Sequence, residues 1–183
     1  NNGGILFDEN RLMQFMLELH TEKIDLHLHT VADRAIHTAL NAFERAKKIV
    51  AKQNGTDINV RLTLTHLEYI QQPDIKRMAQ LGVVANFTPH WYSGYIEGTE
   101  ATLADHREEW GMRVSPYIQE NVVVSYSSDV VTPDEFERAY PFFGMQTIHN
   151  RQEVEEGKEG DVYGPVSDQL SMNDLVQGYT QGG

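Results

Sequence analysis

A parallel α/β sheet covered by helices, either doubly wound or part of a barrel, is the architecture this chain points to. Three observations point there. Strand-like and helix-like segments alternate along the sequence; the strands are nearly apolar along their length, as strands buried on both faces are; and four strands occur where a complete (β/α)₈ barrel needs eight and about 250 residues. The 183 residues therefore suit half of a barrel in one domain with its own core.

Taken in order, residues 8–23 place Leu12, Phe15, Met16 and Leu19 at helical spacing behind Asp8, a suitable N-cap. Ile24-Asp25-Leu26-His27-Leu28-His29 alternates apolar and polar residues as a short strand does. Residues 30–53, rich in Ala, Lys and Arg, predict a long helix, with Thr30 and Asp33 spaced for a capping arrangement. Asn54-Gly55 punctuates, and residues 60–69 form a second strand run of Val, Leu and Thr. Pro73 opens a short helix over 74–80, closed by Gly82 as C-cap. Residues 83–88 are a third strand stopped by Pro89, and 103–120 a helix disturbed by Gly111 and Pro116. Residues 122–127 are a fourth strand ending at Ser128-Asp129. The acidic, Gly-rich stretch 152–164 reads as a solvated loop, and 171–179 as a last helix with Ser171 as N-cap and Asp174 at the box position.

Composition excludes several function classes. A net charge of -12 with scattered Lys and Arg argues against nucleic acid and anionic membranes, and favours small neutral or cationic ligands. Without cysteine there is neither a disulfide framework nor a thiolate metal site, so any metal relies on His and carboxylate. No apolar run approaches the roughly 20 residues of a membrane span, and Asn1-Asn2-Gly3-Gly4 does not resemble a signal peptide, so the chain as given is expected to be soluble, in a compartment the sequence does not name.

His29, His66 and Asp129 each stand at or near the C-terminal end of a strand, the edge on which parallel α/β folds build sites. Two neutral imidazoles and a carboxylate suit Zn²⁺ or a similar divalent ion, and Asp129 is placed to serve as ligand and general base together. Separations of 37 and 63 residues are too long for a local zinc motif, so this signal rests on the strand assignment. A lone strand-end His is more often a hydrogen-bonded packing residue; three such coincidences favour a site. His90, between Pro89 and Trp91-Tyr92, is a candidate substrate contact, weighed equally against an aromatic cluster packing the loop. His149 reads as a surface or capping residue, and His20, His37 and His106 as solvated helical residues. Asp33 reads as a helix cap.

The segment His29-Thr30-Val31-Ala32-Asp33-Arg34-Ala35-Ile36 resembles His-Ala-Ile-Gly-Asp-Arg-Ala-Val of the large amidohydrolase group that includes N-substituted formamide deformylases and proteins labelled exoenzyme-regulatory. Further likenesses follow in order: Thr65-His66-Leu67-Glu68-Tyr69 to the strand-six Glu-His segment, Asp74 through Val83 to the helix after it, Ser127-Ser128-Asp129 to the Gly-Ser-Asp of strand eight, and Leu170 through Thr180 to the helix that follows. The chain departs at Ala32 and Ser127, where the group has Gly, and at Thr65, where it has Glu. Nothing in it corresponds to the group's strand-one His-x-His or its strand-four bridging Lys or carboxylate; His27 is read as a neighbour of His29.

The resemblance implies a single partial domain, residues 1–183, forming the C-terminal half of a (β/α)₈ barrel from the helix before strand five to the helices after strand eight. It implies that His29 and His66 hold one metal ion and that Asp129 binds at a second metal position and assists the attacking water. The expected function is metal-dependent hydrolysis of an amide or other C–N bond of a small molecule, using one or two divalent ions, zinc first. With part of the ligand set absent, the chain alone is expected to be inactive and to lack firmly held metal. The alternative is a non-catalytic fragment or degenerate homologue that binds a ligand or self-associates through open sheet edges, giving a homo-oligomer. A self-contained flavodoxin-like binding domain is a third reading, weakened because no Gly-rich phosphate loop follows any strand.

Overall fold

The computed structural model describes residues 4–92, 111–154 and 157–182. Asp8 caps helix α1 (Glu9–Glu22) by accepting the Arg11 N–H at 3.0 Å, as expected of that residue. Strand β1 (Leu26–Thr30) leads into α2 (Asp33–Asn54), which Gly55 closes in the left-handed region at φ 67°. Thr30 does not cap α2. It is the last, buried residue of β1 and its hydroxyl donates to the Thr65 carbonyl at 3.3 Å, while Asp33 accepts the Arg34 N–H at 2.8 Å. A neighbouring strand thus claims the hydroxyl before the helix begins.

Strand β2 (Leu62–His66), helix α3 (Gln72–Leu81) and strand β3 (Val84–Phe87) follow, with Gly82 ending α3 at φ 69°. Pro89 ends β3 by starting a 3-10 turn, Pro89–Tyr92. The expected helix over 103–120 lies partly outside the described residues, His106 included. Its described end is helix α4 (Ser115–Gln119), where Pro116 occupies the first turn and so starts the helix rather than disturbing it. Strand β4 (Val124–Tyr126), a 3-10 segment Pro133–Ala139, helix α5 (Pro141–Asn150) and helix α6 (Met172–Thr180) complete the order. Ser171 caps α6 by accepting the Asp174 N–H at 3.2 Å.

All four strands are parallel, in the order β1-β2-β3-β4. Chain order without reversal is the order of a barrel wall. Doubly wound and flavodoxin-like sheets reverse at a switch point. The register sets Leu28, Leu64, Ala85 and Val124 side by side on one face, and His29, Thr65, Asn86 and Ser125 on the other. Leu62, Leu64, Ala85 and Phe87 join Met16, Ile36, Leu40, Phe43, Ile75, Met78 and Leu175 in one core beneath the helices. The strands are therefore apolar on the helix-covered face alone. The other face carries His29, Thr65, Asn86 and Ser125, which corrects the expectation of strands apolar throughout.

The last stretch is tied down by buried charge. Arg151, 1% exposed, donates from Nε to the Tyr163 carbonyl at 2.8 Å and from Nη1 to the Met112 carbonyl at 2.9 Å, with its guanidinium 5.2 Å from the centre of the Tyr92 ring. Asp168, equally buried, accepts from Arg113 and Ser115. The described part of 152–164 is thus partly anchored rather than freely solvated. Among the described residues no helix is long and apolar enough to cross a membrane.

Candidate metal centre

Strand alternation alone would keep His29 and His66 apart. His29 belongs to the polar face, next to Thr65, whereas His66 follows Leu62 and Leu64 and shares their parity. The backbone overrides that pattern: His66 has φ 76° and Leu67 φ 53°, two successive non-glycine residues in the left-handed region. Such residues cost on the order of 1–3 kcal/mol each and gather where a site needs a side chain re-aimed. The Leu67 N–H, donated to the Thr30 carbonyl at 3.1 Å, holds the turn. As a result His66 Nε2 lies 2.8 Å from His29 Nδ1.

One of those two nitrogens carries the shared proton. Burial holds the His66 imidazole below the ordinary histidine range, the nearby His29 adds to this, and the charge of Asp129 opposes it. The His66 imidazole is thereby biased toward the neutral form that ligates metal. Two nitrogens on one tetrahedral zinc ion, each about 2.0–2.1 Å from it, stand roughly 3.3 Å apart, so losing the proton and opening slightly suits the pair to two corners of such a site. Trp91, from the 3-10 turn after β3, stacks on the His66 ring with ring centres 4.7 Å apart and planes 7° from parallel. His66 Nδ1 is buried and has no hydrogen-bond partner among the described residues.

Asp129 follows β4 with φ 48°, again in the left-handed region, close enough for its charge to act on His66. Among the described residues, no three His, Asp or Glu converge tightly enough to hold a metal between them. His27 lies one row below, its ring 6.5 Å from that of His29 and outside the pair.

His90 is elsewhere. It stacks on Phe143 at 5.3 Å and lines an open cavity of about 300 Å³ with Asp134, Glu135, Glu137, Arg138 and Glu153. Burial pushes its imidazole down to about 4; the Tyr140 backbone lies near enough to offset part of this without reaching hydrogen-bond geometry, and both ring nitrogens lack a partner among the described residues. His149 lies on α5, its Nδ1 2.6 Å from the Leu170 carbonyl, a packing role. His20 accepts the Asn59 N–H at 2.9 Å, and His37, although exposed, reaches Asp74 at 2.9 Å, so neither is merely solvated.

Two features escape a reading of the sequence. Trp91 reads only as a neighbour of His90, because nothing in its spacing reveals a ring it stacks on. Thr65 and Ser127 both donate to Asn86 Oδ1, at 2.5 and 2.7 Å, while Asn86 Nδ2 donates to Ser125 at 2.9 Å. A lone Asn inside an apolar strand was the available signal.

A sheet in barrel order with a histidine pair at its C-terminal edge is the frame of a barrel hydrolase, and the family is shown directly. The amidohydrolase family model matches residues 2–183, and the chain belongs to that family. Crystal structures of metal-dependent hydrolases from Pyrococcus horikoshii OT3 and Pyrococcus furiosus are similar in fold, with TM-scores of 0.75 and 0.72 at 18% and 17% identity. Each likeness covers 98% of this chain and 33% or 32% of the other, so the chain spans about a third of the length of those proteins. No curated protein matches it.

Proposed function

We propose that this chain carries part of the active site of a metal-dependent hydrolase that cleaves an amide or other C–N bond of a small molecule, in the manner of the formamide deformylase-like group. The observation that carries the reading is the 2.8 Å approach of His66 Nε2 to His29 Nδ1 across neighbouring strands, achieved against strand alternation by a left-handed backbone. Structure that costs stability in order to bring two ligating atoms together is a mark of a site. A bound divalent ion, zinc by the nature of the donors, supplies a water of lowered pKa and polarises the carbonyl to be attacked.

The remaining roles belong to side chains of this chain. His29 and His66 hold the ion, and Asp129 completes its environment and accepts the proton released by the water. His90, neutral at pH 7, offers a substrate contact beside a cavity whose carboxylates outnumber the single Arg138, which itself pairs with Glu135. Such walls suit a neutral or cationic amine. The second reading is a non-catalytic partner that associates through its sheet, favoured by β1 and β4 each having one strand neighbour among the described residues.

Zinc affinity measured by calorimetry on the chelator-treated chain, and on any longer protein that contains it, tests the assignment. His29→Ala or His66→Ala is expected to weaken zinc binding beyond the roughly 10–100-fold typical of supporting residues, and turnover of formylated and acylated amines in the longer protein is expected to vanish. Unchanged zinc affinity in both variants would sink it.

A further inference from the structure

A ligating imidazole is ordinarily oriented by its second nitrogen, which donates to a carbonyl or carboxylate and so fixes both ring angle and tautomer. His66 lacks that device among the described residues: its Nδ1 is buried and has no hydrogen-bond partner. Its left-handed backbone aims Cβ but does not itself set the ring angle about the Cβ–Cγ bond, and the 2.8 Å contact of Nε2 with His29 Nδ1 is the ring's one hydrogen bond among the described residues, at the atom a metal would claim. The flat contact against the ring is Trp91, nearly parallel at 7° with centres 4.7 Å apart. Rotation of the imidazole would drive its edge into the indole face and swing Nε2 away from His29.

Trp91 is itself well anchored. Its backbone N–H donates to the Thr88 carbonyl at 3.0 Å, and the next residue, Tyr92, is buried beneath the Arg151 guanidinium. The 3-10 turn Pro89–Tyr92 thus presents the indole from a strand end, flat against the His66 ring, whereas His29 meets that ring at a steep angle of 61°.

We propose that Trp91 is a positioning residue for the metal centre, its indole face taking over the ring-orienting task that a hydrogen bond to Nδ1 performs in other histidine–metal sites. The metal half of this inference rests on the function proposed above; the orientation of the His66 ring does not. A flat ring of any kind at position 91 is sufficient, and an aliphatic side chain of similar bulk is not.

Zinc binding to the chelator-treated chain is measured by calorimetry for the parent, Trp91→Phe, Trp91→Leu and Trp91→Ala, with circular dichroism confirming the fold. Trp91→Phe is expected to bind within about threefold of the parent, and Trp91→Leu and Trp91→Ala about tenfold or more weakly, the size of effect supporting residues show. In parallel, NMR of the metal-free protein reads the His66 ring protons, which stacking moves upfield in the parent and in Trp91→Phe but not in Trp91→Leu. Trp91→Leu binding zinc as tightly as Trp91→Phe overturns the proposal, as does a parent whose His66 ring protons match those of Trp91→Leu. Zinc failing to bind the parent defeats the metal reading alone, and the ring shifts then decide the role of Trp91. Should Trp91→Ala not fold, the Leu and Phe variants carry the comparison.

Discussion

Asn86 uses both ends of its amide within the sheet: two hydroxyls, from Thr65 and Ser127, donate to its oxygen, and its nitrogen donates to Ser125. Thr65 and Ser127 are two of the positions at which the chain departs from the group it resembles, so these departures form one connected patch. Asn86→Leu keeps the volume and strands those hydroxyls; a loss of about 1–3 kcal/mol is expected for a buried unsatisfied group, read as a lower urea midpoint with an unchanged slope. A variant as stable as the parent would show the network to be slack. His90 gives a pH signature. The unfolded chain takes up a proton near pH 6.5, while the folded chain resists until about 4. Stability therefore falls as pH drops through that window and levels off below it. Urea melts of His90→Leu across the same range should show a shallower fall, and equal slopes would remove His90 as the cause. That His29, His66 and Asp129 stand at or near strand ends was legible in the sequence, because strand ends are legible. Their closeness was not, since it depends on a positive φ at His66 and Leu67 that no spacing rule encodes.

Helix α6 packs on β4 at Gly178, where an added Cβ would collide with the edge of the Tyr126 ring at Cε2. Tyr126 cannot easily retreat, being buried and packed on Tyr179 with ring centres 5.0 Å apart. Gly178→Ala, helpful to an isolated helix, is expected here to destabilise by about 1–3 kcal/mol through overpacking. Thermal melting measures it; an unchanged or raised midpoint would mean α6 docks otherwise. Helix ends were the most legible elements, because Asp8, Gly82 and Ser171 carry their caps in their own side chains or backbone freedom. Thr30 misleads for the opposite reason, since a long-range strand partner competes for the hydroxyl that a local rule assigns to the helix. Pro116 misleads because a proline interrupts a helix or begins one according to its place in the first turn.

The sheet of four parallel strands buries one face under helices and leaves His27 and His29 of the other exposed. Parallel strands that, like β1 and β4, have a single neighbour among the described residues tend to recruit further strands, and self-association is the expectation carried by the second functional reading. The net charge of -12 opposes it through long-range repulsion. Association of the chain alone should therefore strengthen as moderate salt screens that repulsion, seen by light scattering as a rising mass at fixed protein concentration. A mass that stays at one chain under all salt conditions would count against open edges as the binding surface. Strand order and family were within reach of the sequence; the polarity of the second face was legible as alternation in β1 and in Leu62-Thr63-Leu64-Thr65 of β2, but not in β3 and β4, which at four and three residues are too short to set up a period.

Arg151 joins Tyr92, Met112 and Tyr163 around one guanidinium. Although burial lowers its pKa, a guanidinium does not lose its proton in proteins. This fastening of the final segment is consequently a fixed joint, indifferent to acidity, whereas a lysine there would have the option of neutralising itself and letting go. A pH response in this molecule then originates elsewhere than at this joint, with Arg151 serving as the unmoving reference against which the titrating groups act.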